Sequence, residues 1–391
     1  MKITEPEREL DVPASYDVVV AGGGVAGVAA AMAAAREGAS VCLLEREYLL
    51  GGLATGGLVA IYLPICDGRG HQLIGGITEE LLRASLKYGT GEIPACWRDE
   101  ASVGERSRQR YKVYFDPTSF AYALDRKVGS LGIDVMFGTS FSNVLTSDGR
   151  ITHVVVENRE GRCAIKARSV IDATGDACVC AAAGEKTELF DDNRMAGWYY
   201  LFREQEGLSL RIVADPLTGP VKAGERTYGG IACRDVTEFV IRSRARAFDD
   251  RSQSYPGGTV AQLPTIPEIR MTRRLAGAYE LAGSDERKTF GDAVGLFGDW
   301  RKAGPVFELP YSALHGRCKN LLVAGRCISS GGDAWDVTRA IPVCALSGEA
   351  VGTAAAMACA ADAVDITALD ARTLRNRLVR NGNIFDEGLI A

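Results

Sequence analysis

The sequence predicts an α/β protein in which a parallel-sheet domain is interrupted by an inserted domain of mixed helix and strand. Three observations carry that prediction. Residues 17–45 read as strand, glycine turn, helix and strand. From about Lys186 to Leu314 the periodicity breaks, and Arg, Asp, Tyr and Trp become more frequent. A buried strand and a long apolar helix then return near 320–324 and 341–361, so the first domain resumes after the interruption.

Asp17 to Ala21 (DVVVA) holds the β-branched run of a strand covered on both faces. GGGVAG follows, then an Ala-rich helix from Val25 to Glu37 that Gly38 stops, and a second strand at Ser40 to Glu45. This makes a βαβ unit with a right-handed crossover. Gly51 to Gly57 is a glycine-rich loop. Ile77, Leu81, Leu82 and Leu86 line one side of a helix over 77–87, and Glu79, Glu80 and Arg83 the other. Asp116 caps a helix to Ser130, with Pro117 in its first turn. Strand-like runs at 133–137, 151–157 and 163–167, punctuated by Gly149 and Gly161, predict a small β-meander. A further strand at 170–172 leads into Ala173-Thr174-Gly175.

At 391 residues and 47% hydrophobic, the chain can bury substantial cores. A net charge of −5 argues against nucleic acid or an anionic membrane as partner. The eleven cysteines are scattered through apolar surroundings, and 1–13 is charged without the apolar core of a secretory leader. Both features predict a cytoplasmic protein with mostly buried thiols. The longest apolar stretch, Ile341 to Val364, is rich in small residues and carries Glu349, which suits close packing inside a protein better than a membrane span.

Gly22, Gly24 and Gly27 fit G-x-G-x-x-G between a buried strand and a helix. The first glycine permits the tight turn, the second lets the backbone approach a pyrophosphate, and the third lets helix and strand pack closely. Free N–H groups and the positive end of the helix dipole face that anion. Glu45, about 20 residues on, stands where an acid binds ribose hydroxyls. A glycine-rich turn without ligand would leave Glu45 unexplained. The ADP half of a dinucleotide is the expected ligand.

Later segments resemble those of the two-dinucleotide-binding-domain flavoproteins, the glutathione-reductase-like FAD fold. More narrowly, the chain resembles the FAD-dependent oxidoreductase family. The matching pieces are DVVVAGGGVAGVAAAMAAAREGASVCLLERE, GGLATGGLV, HQLIGGITEELL, VIDATGDA, IRMTRRLAGAYEL, ELPYSALHGRCKNLLVAGRCIS and TRAIPVCALSGEAVGTAAAMA, in order from Asp17 to Ala358. The resemblance implies a Rossmann-like FAD-binding domain from 1–60, 111–185 and 316–391, with a mixed α+β substrate or cap region from 61–110 and 186–315. It would put Gly22, Gly24, Val25, Ala26 and Gly27 on the pyrophosphate, and Glu45 and Arg46 beside the adenosine ribose. Gly52, Leu53, Ala54 and Thr55 would run along the ribityl chain and flavin, Phe141 would offer backbone to the adenine, and Ala173, Thr174 and Gly175 would lie against the ADP half. Gly325, Arg326 and the segment from Arg339 through Ile341, Pro342 and Val343 would close over the flavin. There the dipole of a helix beginning near Pro342 would favour the reduced, anionic ring.

Departures from the wider fold narrow the chemistry. A second glycine fingerprint for NAD(P)H is missing, so an external electron donor or acceptor is implied. No Cys-x-x-Cys or Cys-x4-Cys follows the first helix, against a disulfide reductase. Gly175-Asp176-Ala177 comes too early for the motif of aromatic hydroxylases. The expectation is a dehydrogenase or reductase moving a hydride between a small organic molecule and non-covalent FAD. An oxygen-using oxidase or monooxygenase and a non-catalytic flavin-bound module are the alternatives, and self-association is left open. His71 is a candidate acid or base or a covalent flavin attachment point, weighed against a structural or binding role, and Arg339 is the preferred flavin or substrate contact. Tyr62, Arg270, Arg273, Arg274 and Asp336 are substrate candidates. The three arginines suit a carboxylate but equally suit a solvated helix face. Cys178 and Cys180 in Cys-x-Cys spacing, with His153 and His315, give no convincing metal constellation.

Overall fold

In this computed structural model residues 3, 7–98, 101–216 and 224–390 are described. Part of the charged amino-terminal segment, residues 1, 2 and 4–6, therefore lies outside the described residues, as do 99–100 and 217–223 of the expected cap. β1 (Ala14–Ala21), α1 (Val25–Arg36) and β2 (Val41–Leu44) form the βαβ unit. β3 (Ile61–Tyr62), α2 (Gly76–Leu86), α3 (Ala95–Arg98), α4 (Val103–Arg106), β4 (Val113–Tyr114) and α5 (Pro117–Ser130) follow. Asp116 caps α5 as expected, accepting from Ser119 N at 2.7 Å.

β5 (Asp134–Met136), β6 (Ser140–Ser147), β7 (Arg150–Asn158) and β8 (Gly161–Asp172) complete the first half. The main sheet runs β5-β2-β1-β8-β7-β6. β5, β2, β1 and β8 are mutually parallel, and β6, β7 and β8 form the antiparallel meander. Two expectations need correction here. The run at 133–137 is not part of the meander but the parallel edge strand beside β2. The meander's first strand is Ser140–Ser147, of which only Val144 is buried, so it carries almost no hydrophobic signal. The runs at 163–167 and 170–172 are one strand, β8.

α6 (Cys178–Ala182) and β9 (Thr187–Leu189) lead to the inserted body: β10 (Trp198–Arg203), β11 (Gly207–Ile212), α7 (Cys233–Ser254) and β12 (Thr259–Gln262). β11, β10 and β12 form a separate antiparallel sheet, with its own small clusters around Tyr199, Leu201 and Ala247 and around Tyr228, Phe239 and Ile269. β13 (Arg273–Leu275) pairs with β9, and β14 (Ala293–Gly298) with β15 (Val306–Pro310). β16 (Leu321–Val323) adds in parallel to the end of β8. α8 (Gly332–Thr338), α9 (Ile341–Ala360) and α10 (Ala371–Arg380) close the chain.

One large core unites the main sheet with α1, α2, α5, α9 and the β14–β15 hairpin. Ile77, Leu81 and Leu82 place α2 in it, although 61–110 was expected in the cap. α9 is mostly apolar and long enough to cross a membrane, but 83% of its most apolar stretch is buried inside the protein. Its glycines serve the neighbouring helix: a Cβ on Gly348 would lie 2.2 Å from the Ala26 carbonyl oxygen, and one on Gly352 2.2 Å from that of Ala30. α1 and α9 thus meet backbone to backbone.

Candidate functional site

A cleft of about 420 Å³ crosses the carboxyl ends of β2, β1, β8 and β16. Loops after parallel strands gather there because each strand delivers its next residues to the same edge. Leu44, Glu45 and Arg46 come from the end of β2, Gly22, Gly24, Val25 and Ala26 from the turn after β1, Ala173 to Asp176 from β8, and Ala324 to Arg326 from β16. Phe141 joins the β2 end, while Gly52, Leu53 and Ala54 line the side. Arg339 and Ile341 stand at the start of α9. A larger groove of about 820 Å³ lies between α2 and α5, but its Glu79, Glu80, Arg83 and Lys127 are tied to one another or to Arg36 in ion pairs. The chemistry belongs to the smaller cleft, where strand loops converge.

The glycine turn is set by contact. Gly22 has φ +107°, and a Cβ there would lie 2.4 Å from the Ala173 carbonyl oxygen; one on Gly27 would lie 1.8 Å from that of Gly22. Around Gly24 nothing stands within 4 Å of such an atom, so this open spot is a cradle that a side chain would fill. Glu45 faces the same cleft and also holds the loop: Oε2 accepts from Gly23 N and Oε1 from Glu47 N, each at 2.8 Å. Burial raises its carboxyl pKa, and those amides pull it back.

The opposite end is braced from below. Buried Asp172 accepts from Thr174 N at 3.1 Å, Thr174 Oγ1 at 2.7 Å and Cys180 N at 2.9 Å, fixing the turn after β8. Arg326 donates to the Gly175 carbonyl at 2.7 Å, the Ile269 carbonyl at 2.7 Å and Asp176 Oδ1 at 2.6 Å. It therefore joins the ends of β8 and β16 to the inserted body. Arg339 donates to Asp336 Oδ1 from Nε at 2.9 Å and Nη2 at 2.5 Å, with Trp300 beneath its guanidinium.

Several expected residues stand elsewhere. Gly27, Thr55, Pro342 and Val343 lie behind the lining; Thr55 Oγ1 donates to the Leu50 carbonyl at 2.6 Å. Tyr62 is fully buried and donates to the Thr78 carbonyl at 2.9 Å, so it is not available to a substrate. His71 pairs with Asp67 at 2.8 Å and stands outside the residues that line the cleft. Arg273 donates to the Asp176 carbonyl at 2.8 Å, and Arg274 is paired with Glu188 and Glu280. Neither lies on a helix: both belong to β13. Arg270 and Asp336 are not among the lining residues, though Asp336 accepts from Arg339, which is. Thr139, Ser140, Ile266 and Cys344 line the cleft unannounced. Thr139 precedes and Ser140 opens the weakly patterned β6, and Ile266 arrives on a loop with no motif. Among the described residues, no group of three or more His, Cys, Asp or Glu side chains is placed to hold a metal.

A family model described as FAD dependent oxidoreductase matches residues 17–197 and 223–378. Digeranylgeranylglycerophospholipid reductase 2 of Methanothermobacter thermautotrophicus is 27% identical over 335 residues, covering 81% of this chain and 79% of that protein. The NADH:fumarate oxidoreductase of Klebsiella pneumoniae is 30% identical over 192 residues, 42% of this chain and 20% of the relative. Among solved structures, p-nitrophenol 4-monooxygenase PnpA of Pseudomonas putida superposes with a TM-score of 0.54 at 13% identity, over 94% of this chain and 89% of that one. At that identity the likeness shows the fold.

Proposed function

Because the chain belongs to the FAD-dependent oxidoreductase family, we propose that it works as a dehydrogenase or reductase, exchanging a hydride between FAD and a small organic molecule. The observation that carries this reading is the cleft itself. It runs from the end of β2 past the glycine turn after β1 and the end of β8 to the end of β16 and the start of α9, one continuous groove from the fingerprint glycines to the far wall. Bound FAD supplies a two-electron carrier at its isoalloxazine ring.

In this reading Gly22, Gly24, Val25 and Ala26 present backbone to the pyrophosphate, with Gly27 behind them holding α1 close. Glu45 and Arg46 flank the adenosine ribose, Phe141 backs the adenine, and Ala173, Thr174 and Gly175 border the ADP half. Gly52, Leu53 and Ala54 take the ribityl side. Gly325, Arg326 and Ile341 border the reactive end, where the amino end of α9 favours negative charge. Arg339, oriented by Asp336, positions the substrate. Residues 1–60, 111–185 and 316–391 form the FAD-binding part, joined by 61–110 because α2 shares its core; 186–315 holds the cap. The eleven free thiols support a reducing, cytoplasmic setting.

The test is anaerobic. FAD-reconstituted protein is expected to be yellow, and one class of metabolites to bleach it, or to recolour it after photoreduction. Failure to retain FAD rejects the cofactor site. Reoxidation by oxygen faster than by any metabolite replaces the reading with an oxidase or monooxygenase.

A further inference from the structure

The two faces of the β11-β10-β12 sheet differ sharply in cover. β10 and β11 pair Trp198 with Ile212, Tyr200 with Leu210 and Phe202 with Leu208, and side chains directly opposite each other stand on one face. The alternate residues Tyr199 and Leu201 point the other way, where they are fully buried with Ala247 of α7. The first face carries six aromatic or aliphatic side chains in three adjacent pairs, yet Phe202 is 47% exposed, Leu208 57% and Ile212 54%. β12 adds Thr259 opposite Phe202 and Gln262 opposite Tyr200, a polar edge to an apolar strip. An antiparallel sheet with one face on a core keeps its other face polar where that face meets water, so an apolar second face marks a binding surface.

Contacts at both ends of the segment after β12 place this strip. Leu210, in the middle pair, packs against the large core of the main body, so the face turns towards that body. Trp198, in the first pair, donates its backbone N–H to Glu268 Oε2 at 2.7 Å. Glu268 stands two residues, at most about 7 Å along the chain, beyond Ile266 of the cleft lining. Just before Ile266, Thr265 N donates at 2.8 Å to the carbonyl of Gly56, in the loop that carries Gly52, Leu53 and Ala54. A Cβ on Gly56 would lie 2.8 Å from Ile266 Cδ1, so the connection from the cap sheet presses directly on that loop. The strip thus begins beside the cleft at Trp198 and Ile212. It runs outward along β10 to Phe202 and Leu208, about 13 Å at the rise of a strand.

We propose that the hydride substrate carries a hydrocarbon portion, which lies along this strip between the cap sheet and the main body while the reacting part sits in the cleft. The reacting part rests on the hydride-transfer reading; the apolar part rests on the sheet face. Continuity with the cleft through Ile266 and Glu268 favours the substrate over a second copy of this chain as the cover. Six side chains are also too few for a stable subunit interface, which takes about 20–30 residues from each partner.

The experiment titrates oxidised, FAD-loaded protein with ethanol, butanol, hexanol and octanol, following binding by calorimetry and by the flavin spectrum, with sedimentation in parallel. Affinity is expected to rise about fourfold for each CH2 group added, as burial of one methylene gives. Phe202→Ser and Leu208→Ser, both at exposed positions, should weaken octanol at least about tenfold while leaving butanol binding and FAD retention unchanged. Ile241→Ser, at an exposed position on α7, should match the unaltered protein. Affinity independent of chain length would overturn the proposal, as would undiminished octanol binding in both serine variants. A dimer of the unaltered protein that those variants dissociate would reassign the face to a subunit interface. If a serine variant does not fold, Leu208→Ala and the chain-length series decide. Chain-length-dependent binding without electron exchange with any metabolite would sink hydride transfer and leave the apolar site standing. Turnover only of molecules without a hydrocarbon portion would do the reverse.

Discussion

At the scale of single residues, the three fingerprint glycines do different work, and substitution separates them. Gly27→Ala would drive a methyl group to 1.8 Å from the Gly22 carbonyl oxygen, so the turn must shift. A loss of about 3 kcal/mol or more is expected, read by chemical denaturation of the apoprotein. Gly24→Ala meets nothing within 4 Å and should leave that stability within about 0.5 kcal/mol, while weakening FAD at least about tenfold in a fluorescence titration. Equal effects on stability would remove Gly24 from the cofactor cradle. The glycine spacing was legible because each glycine answers a local steric demand. Arg270, Arg273 and Arg274 were legible only as one basic cluster. What sets the last two apart is the partners that β9 and the turn after β8 bring to them, from about 80 residues upstream or more.

At the scale of elements, α1 and α9 decide the geometry of the site. The two glycine contacts let them approach closely, and this brings the amino ends of both helices to the cleft. Gly348→Ala and Gly352→Ala each improve helix propensity by up to about 1 kcal/mol, yet each forces a methyl group into an opposing carbonyl. Overpacking wins, and a net loss of about 1–3 kcal/mol is expected for both in urea denaturation. Gly348 presses on Ala26, a cleft residue, so its variant should also release FAD more readily; Gly352 presses on Ala30, one turn further back, and should not. An unchanged FAD affinity in Gly348→Ala would dissociate helix packing from the cradle. The sequence showed α9 plainly by its length and small residues, but left open what its glycines approach. Pairing of distant elements is not written in local periodicity. β6 was missed for a related reason: an exposed strand held by cross-strand hydrogen bonds, with Val144 alone buried, has no apolar pattern to read.

At the scale of the whole molecule, the carboxyl-terminal part of the chain is locked to α2, from its first quarter, through Glu349. This residue is 1% exposed inside α9; its Oε2 accepts from Ile77 N at 3.0 Å, at the start of α2, and from Asn383 Nδ2 at 3.2 Å, just beyond α10. Burial dominates over those donors and over Arg36, with Glu80 adding repulsion, and lifts the carboxyl to about 8. The sign follows from linkage. The folded state holds this proton more tightly than the unfolded chain, so the stabilisation is complete below about pH 4.5 and is lost as pH rises through about 8. Its full span is on the order of 4–5 kcal/mol. Glu45 and Glu268 are shifted upward too and slope the same way, whereas the lowered pKa of His315 makes it stabilise as pH rises towards 6.5. The window from pH 6.5 to 8 therefore reports the carboxyls without the histidine. In it the unaltered protein should lose stability in urea denaturation, and Glu349→Gln should lose less, by about 1–2 kcal/mol across the window. Parallel pH profiles for the two proteins would mean that Glu349 is ionised in the folded state throughout, and that the junction of α9, α2 and the carboxyl-terminal segment is held by a charge rather than by a protonated acid.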